Sequence, residues 1–201
     1  MTLFVSANNN SNSYLVPEGS HIGIINAIVD EGTHYSDLYK KNSHYVRIRF
    51  ELPEERIEIK KDGKTISEPR FISRRYTFTL HEKSSLKKDI EGAMGRGLAP
   101  DELERFNLSQ VLGMNCQVTV KHTQNTSGET KARVAGLSAL HKSMDEVKPE
   151  MEPIIYRINN TKDIPESIPD WQQNVIKSSD EWRYGYYGAA ASTELPSDLP
   201  K

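Results

Sequence analysis

The chain has 201 residues, 36% apolar and 27% charged, with a formal charge of −2 and a single cysteine, Cys116. That length fits one domain with extensions, and one cysteine excludes an internal disulfide, which suits a reducing compartment. No apolar run approaches the roughly 18 residues of a membrane span. The start, MTLFVSANNNSNSYLVPEG, lacks a basic region and an apolar core, so we expect a soluble, cytoplasmic protein without a signal peptide.

The small net charge hides an asymmetry. Residues 40–88 hold 14 Lys and Arg against 7 Asp and Glu, whereas residues 143–201 hold 6 against 11. A basic middle and an acidic end are different devices, and the first leaves room for a polyanionic partner.

In chain order, residues 1–16 are Asn/Ser-rich and read as a flexible start. HIGIINAIV, residues 21–29, reads as a bent, buried strand. DEGTHYSDLYKKNS reads as a loop carrying Tyr35, Tyr39, Lys40 and Lys41. HYVRIRFEL, residues 44–52, alternates: Val46, Ile48, Phe50 and Leu52 share one face, and Tyr45, Arg47, Arg49 and Glu51 the other. Pro53 should end it, and residues 54–69 should form an exposed charged hairpin turning at Asp62-Gly63. The next strand, residues 71–80, puts Ile72, Arg74, Tyr76, Phe78 and Leu80 on one side and Phe71, Ser73, Arg75, Thr77 and Thr79 on the other. Ser84 or Ser85 can cap a helix with Leu86, Ile90 and Met94 on one face, stopped by Gly95 and Gly97. A short helix starts at Pro100, and Leu108, Val111 and Leu112 form a packed turn. CQVTVKH and ETKARVAGL complete a final hairpin, with Cys116, Val118 and Val120 inward. Beyond His141 the pattern is lost, apart from one short amphipathic helix around residues 171–176.

Three strands, a helix and two strands make a mainly β chain. The order is that of a five-stranded OB-like Greek-key barrel with a helix between strands three and four. It would occupy residues 17–142, with an acidic, proline-containing C-terminal tail over 143–201; a small sandwich would alternate similarly. In an OB fold, ligands cross the outer surface of strands two and three. The candidate nucleic-acid-binding residues are therefore the phosphate-tracking cations Lys40, Lys41, Arg47, Arg49, Arg75, Lys121 and Lys131, and the stacking rings Tyr35, Tyr39, Tyr45 and Phe71. Cations interleaved with rings suit a single strand, each base–ring stack contributing about 1–3 kcal/mol without reading sequence. Taken singly, each reads first as a solvated or half-packed strand position, and the functional reading rests on their joint appearance on the strands and loop that an OB fold would use. Arg74 shares a face with Tyr76: either a bulge re-aims it, or Arg74 and Tyr76 face the ligand.

At RFISRRYTFTLHEKSSLKKDIEGAMGRG (residues 70–97) and LSQVLGMNCQVTVKHTQNTSGETKARVAGLSAL (residues 108–140) the chain resembles a family of phage and prophage proteins. These look like OB-fold single-stranded DNA-binding proteins of replication or recombination modules. The resemblance covers about residues 17–142, and it departs at Leu140-His141-Lys142, where the family often has a Pro-Lys-Gly exit. It implies a non-enzymatic protein of the bacterial host cytoplasm that binds single-stranded DNA with little sequence preference. The alternative is a phage structural or assembly protein using the barrel for protein contacts.

DIPESIPDW, residues 163–171, joins acids, prolines and apolar anchors, as in tails that dock phage or host replication and recombination proteins. The other reading is an extension packed across the barrel through Trp171 and Trp182, or in a homo-oligomer. Catalytic signals are weak. The six histidines lack metal-ligand spacing. GAMGRG follows a helix instead of opening one, so it cannot cradle a phosphate. No cofactor is expected.

Overall fold

The alternation in residues 44–52 falls in the second strand of a mixed sheet, next to the edge strand, with one face buried on the core. The computed structural model describes residues 15–37, 40–61, 63–159 and 162–185. Strands β1 (Gly19–Ser36), β2 (Lys41–Lys61), β3 (Lys64–Thr77), β4 (Asn115–Gln124) and β5 (Thr130–Ala139) follow the path β3-β2-β1-β4-β5, and β6 (Ile154–Tyr156) joins β1. Neighbours on the path are antiparallel, and β6 is parallel to β1. Helices α1 (Ser85–Met94) and α2 (Pro100–Glu104) and a 3-10 turn (Leu108–Val111) separate β3 from β4, while α3 (Asp170–Lys177) and α4 (Asp180–Tyr184) follow β6. Among the described residues no ladder joins β3 to β5, so the sheet is open. The expected five strands are present in a mainly β fold, and a sixth comes from the region read as patternless.

Two expectations about β1 and β2 are corrected. The stretch read as a loop from Asp30 continues β1 to Ser36, with Tyr35 opposite Asn42 and Ser36 opposite Lys41. Its polar residues stay in the ladder because β2 supplies partners along the whole length. Pro53, expected to end β2, does not; the register slips between Leu52 and Arg56, which spares the ladder a donor that proline lacks. The hairpin then runs on to its turn, where Lys61 pairs with Lys64 and Gly63 adopts a φ of 76°. Asp62 and Tyr39 lie outside the described residues.

The main core lies under the inner face, where Val46, Ile48, Phe50, Leu52, Ile72, Tyr76, Cys116, Val118 and Val120 meet Leu86, Ile90 and Ala93 of α1. Ser84 caps that helix, its Oγ accepting from the Lys87 amide at 3.0 Å, and Gly95 closes it in the left-handed region at φ 67°. A second, smaller core lies on the opposite face. There Ala27 and Val29 of β1 pack against Tyr156, Ile158, Ile168 and Ile176. Strand β1 is therefore covered on both sides, which explains why it is buried throughout from Gly23 to Val29.

Helix α1 approaches β5 so closely that a Cβ built on Gly92 would lie 2.3 Å from the Leu137 carbonyl oxygen. Gly92→Ala should therefore lower stability by about 1–3 kcal/mol through overpacking, read as a fall in Tm. Gly136→Ala, where an added Cβ meets nothing within 4 Å, should leave Tm unchanged.

Candidate nucleic-acid interface

Residues of even number on β3 face the core, and this places Arg74. It sits inside with Ile72 and Tyr76, Nη1 donating to Asp89 Oδ2 of α1 at 2.9 Å, and its guanidinium lies 5.2 Å from the Tyr76 ring. Asp89 Oδ2 also accepts from the Tyr76 hydroxyl at 2.8 Å. Tyr76 is 1% exposed, so the reading in which Arg74 and Tyr76 face a ligand is corrected: the ring belongs to the core, and Arg74 answers a buried carboxylate.

The outer face therefore carries Phe71, Ser73 and Arg75 of β3 beside Tyr45, Arg47 and Arg49 of β2, with Arg47 and Arg75 directly opposite each other. Each arginine stacks on a ring. Arg75 lies 3.8 Å from the Tyr45 centroid, Arg49 4.8 Å from Phe71, and Arg47 5.0 Å from Trp171 of α3. Such stacking is available to the flat guanidinium while its edge still binds an oxygen.

Those edges are held by groups from two parts of the chain. Glu31, fully buried on β1, pairs through Oε1 with Arg47 Nε at 2.5 Å and through Oε2 with Arg75 Nε at 2.8 Å. Gln172 of α3 donates to the same Oε1 at 3.2 Å. Arg49 donates twice to Asn26 Oδ1, at 3.1 and 2.5 Å, and Asn26 Nδ2 donates to Glu51 Oε2 and to the Met151 carbonyl, both at 3.1 Å. Glu51 is buried as well, accepting from the Glu150 amide at 2.6 Å and the Met151 amide at 3.4 Å. Burial lowers the pKa of Arg49 more than the nearby Glu51 raises it. Two guanidinium groups thus meet Glu31, and the third reaches Glu51 only through Asn26. Arg47 keeps 19% of its side chain in solvent and Arg75 keeps 34%.

The other expected site residues are more scattered. Tyr35 is 57% exposed and Lys41 is exposed, but both belong to the β1–β2 ladder instead of a jaw. Lys40, φ 50°, sits in the turn 3.9 Å from Asp37. Lys121 lies opposite Arg133 and Lys131 opposite Thr123. They stand past the Gly19–Val120 pair, at the end of β1 remote from Tyr35 and Lys40. The structure therefore gathers Tyr45, Arg47, Arg49, Phe71 and Arg75, but not Lys121 and Lys131. Trp171, 51% exposed, joins them from α3; its sequence context suggested partner docking or packing across the barrel, not a place beside these arginines. Glu31, Asn26 and Glu51 were also missed. The legible signal was Glu51, alternating in phase with Arg47 and Arg49.

A second polar cluster fastens the C-terminal segment to the β1–β2 end. His44 Nε2 meets Asp30 Oδ1 at 2.7 Å, and Nδ1 meets Glu181 Oε1 of α4 at 3.2 Å. Thr33 donates to Glu181 from both Oγ1 and its amide, each at 2.6 Å. Thr33, His44 and Asp30 lie in the sequence of a nucleophile, base and orienting acid. Burial alone would lower the pKa of His44, but hydrogen bonds to Asp30 and Glu181 outweigh it and raise the value to about 9. The imidazole therefore holds its proton near neutrality and acts as a clasp. Burial raises the pKa of Glu181, and bonds from His44 and Thr33 reverse this, bringing it to about 2.

Among the described residues no group of three or more His, Cys, Asp or Glu could hold a metal, and no helix is long and apolar enough to cross a membrane. No protein-family model matches the chain, and no curated protein matches it.

The clasp has a pH window. The raised His44 pKa contributes stability that is complete below 6.5 and lost as pH rises through about 9; the depressed Glu181 pKa contributes stability present above 4.5 and lost as pH falls towards 2. Urea unfolding at pH 6 and pH 10 should show a loss of roughly 3 kcal/mol that is absent in His44→Gln. An equal loss in both proteins would remove the clasp.

Proposed function

We propose that the chain is a single-stranded DNA-binding protein of a phage replication or recombination module, working in the bacterial host cytoplasm with little sequence preference. The single observation that carries this reading is the ladder of arginine–ring stacks on the outer face: Arg75 on Tyr45, Arg47 on Trp171 and Arg49 on Phe71. Unpaired bases need π-faces and their phosphates need cations, and here the two alternate along neighbouring strands. Arg75 is the most open of the three, and Tyr45 and Phe71 are half-buried beside it. A strand would therefore follow β3 and the adjoining edge of α3, with Lys40 and Lys41 at the turn end.

The fold reading that goes with it is OB-like. The path β3-β2-β1-β4-β5, with α1 between β3 and β4, is the order such a barrel uses before its ends meet. The phage context rests on the resemblance at residues 70–97.

A second reading, a phage structural or assembly protein, is favoured by a different observation. Arg47 and Arg49 are answered from within, by Glu31 and by Asn26 next to Glu51, as in a face built for protein packing. Mass spectrometry of virions separates the readings: abundant copies in the particle favour assembly, and early expression favours DNA binding.

The internal pairing decides which variants are informative. Arg47→Glu would set a second carboxylate against buried Glu31 and endanger folding, so the test belongs at Arg75 and Phe71. In anisotropy titrations of labelled oligo-dT over a salt series, Arg75→Gln should weaken binding and reduce the salt slope by about 0.7. Phe71→Ala should weaken it about tenfold with the slope unchanged. Wild-type affinity in both variants would sink the assigned face.

A further inference from the structure

We propose that the β2–β3 arm is the interface of a homodimer, laid face to face against the same arm of a second copy running in the opposite direction. This goes beyond the single-strand reading and does not depend on it. Past the Ile24–Glu51 pair, β2 has no β1 beside it, and the hairpin continues alone from the Arg56–Pro69 pair to the Lys61–Lys64 pair. A lone two-stranded ribbon is marginally stable in water. This one carries Ile57, Ile59 and Ile66 on a single face, with Ile59 and Ile66 paired across it. All three are half-buried, and none belongs to either core.

The arm's charges identify the occupant of that face. Along β3, Glu68, Ile66 and Lys64 follow one another at alternate positions on the isoleucine side, acid at the root and base at the tip. The rest of the arm repeats this order, with Glu54 and Glu58 nearer the root and Lys60 nearer the tip. The root's cation, Arg56, is already engaged by Glu150 and Ser67, and Glu55 by His21. Among the described residues, Glu58, Glu68, Lys60 and Lys64 have no ion-pair partner in their own chain. A uniformly acidic or basic protein would match one end of the arm and repel the other. A second copy turned end for end matches both.

A two-fold axis running across the ribbon at the Ile59–Ile66 pair stacks β3 on β3. Ile66 then meets the partner's Ile66, and Glu68 meets the partner's Lys64. Each ionic contact occurs twice, as an isologous interface requires. Stacked sheets lie about 10 Å apart, a gap that lysine and glutamate side chains together bridge. Arms laid in the same direction would set Glu68 against Glu68. Pairing by the edges is discouraged instead, because Pro53 and Pro69 at the root offer no amide to a further strand.

The test is the oligomeric state of the full chain, followed by sedimentation velocity over a concentration series. Wild type should be a dimer whose dissociation constant rises with salt. Lys64→Glu and Glu68→Lys should each weaken it about tenfold, since each turns two attractions into repulsions. An equimolar mixture of these two variants should dimerise as wild type does, because every facing pair is then opposite in sign. Ile66→Thr keeps the β-branched shape and should weaken the dimer about tenfold with no change in salt dependence. A wild type that stays monomeric overturns the proposal and leaves the isoleucine face to a different protein. A dimer unaffected by all three substitutions, or a mixture no tighter than its components, overturns it as well.

Discussion

Two carboxylates on the outer face of the sheet, Glu31 and Glu51, are fully buried, and much of the molecule is arranged around them. An ionised carboxylate taken out of water is several kcal/mol unfavourable unless its oxygens are met. Neither is met by the sheet alone. Glu31 takes two arginines from β2 and β3 and an amide from α3. Glu51 takes Asn26 from β1 and two backbone N–H groups from residues 150 and 151. The C-terminal segment is thus required by the sheet's electrostatics as well as by the apolar contacts of Ile158, Ile168 and Ile176.

The same arrangement gives the arginines two roles at once. An edge of each guanidinium is held by an internal oxygen, and its flat face lies against a ring. A lysine in any of these places could satisfy the charge but would lose the in-plane fork and the stacking surface. Because both partners are fixed, the rings and cations hold one arrangement and keep little side-chain freedom.

Most of the sheet was legible because period-two alternation survives wherever one face is buried. Residues 44–52, 115–120 and the helix capped by Ser84 read correctly for that reason. What failed was instructive. Polar residues 30–36 read as loop, since side-chain patterning says nothing about a backbone ladder whose partner strand is long enough to keep pairing. Residues 154–156 are too few to carry a period, so β6 was invisible. The covered outer face was hidden by its own chemistry. Arginines read as solvent-facing, and only their in-phase neighbour Glu51, with the Ile-rich run of β1, signalled that something lies over them. Arg74 could be placed only once Asp89 was seen beneath it.

The parallel pairing of β6 with β1 joins parts of the chain far apart: Asn26 reaches the Met151 carbonyl across 125 positions. Contacts at that separation form late, because a long loop must close before they contribute. During synthesis the antiparallel strands emerge well before their cover does. In that interval Glu31, Glu51 and the arginines lie open to water, and a surface that will later be interior is hydrated and charged. The ionic composition of this layer therefore keeps the waiting sheet from sticking to its neighbours, a service that an all-aliphatic layer in the same place could not perform.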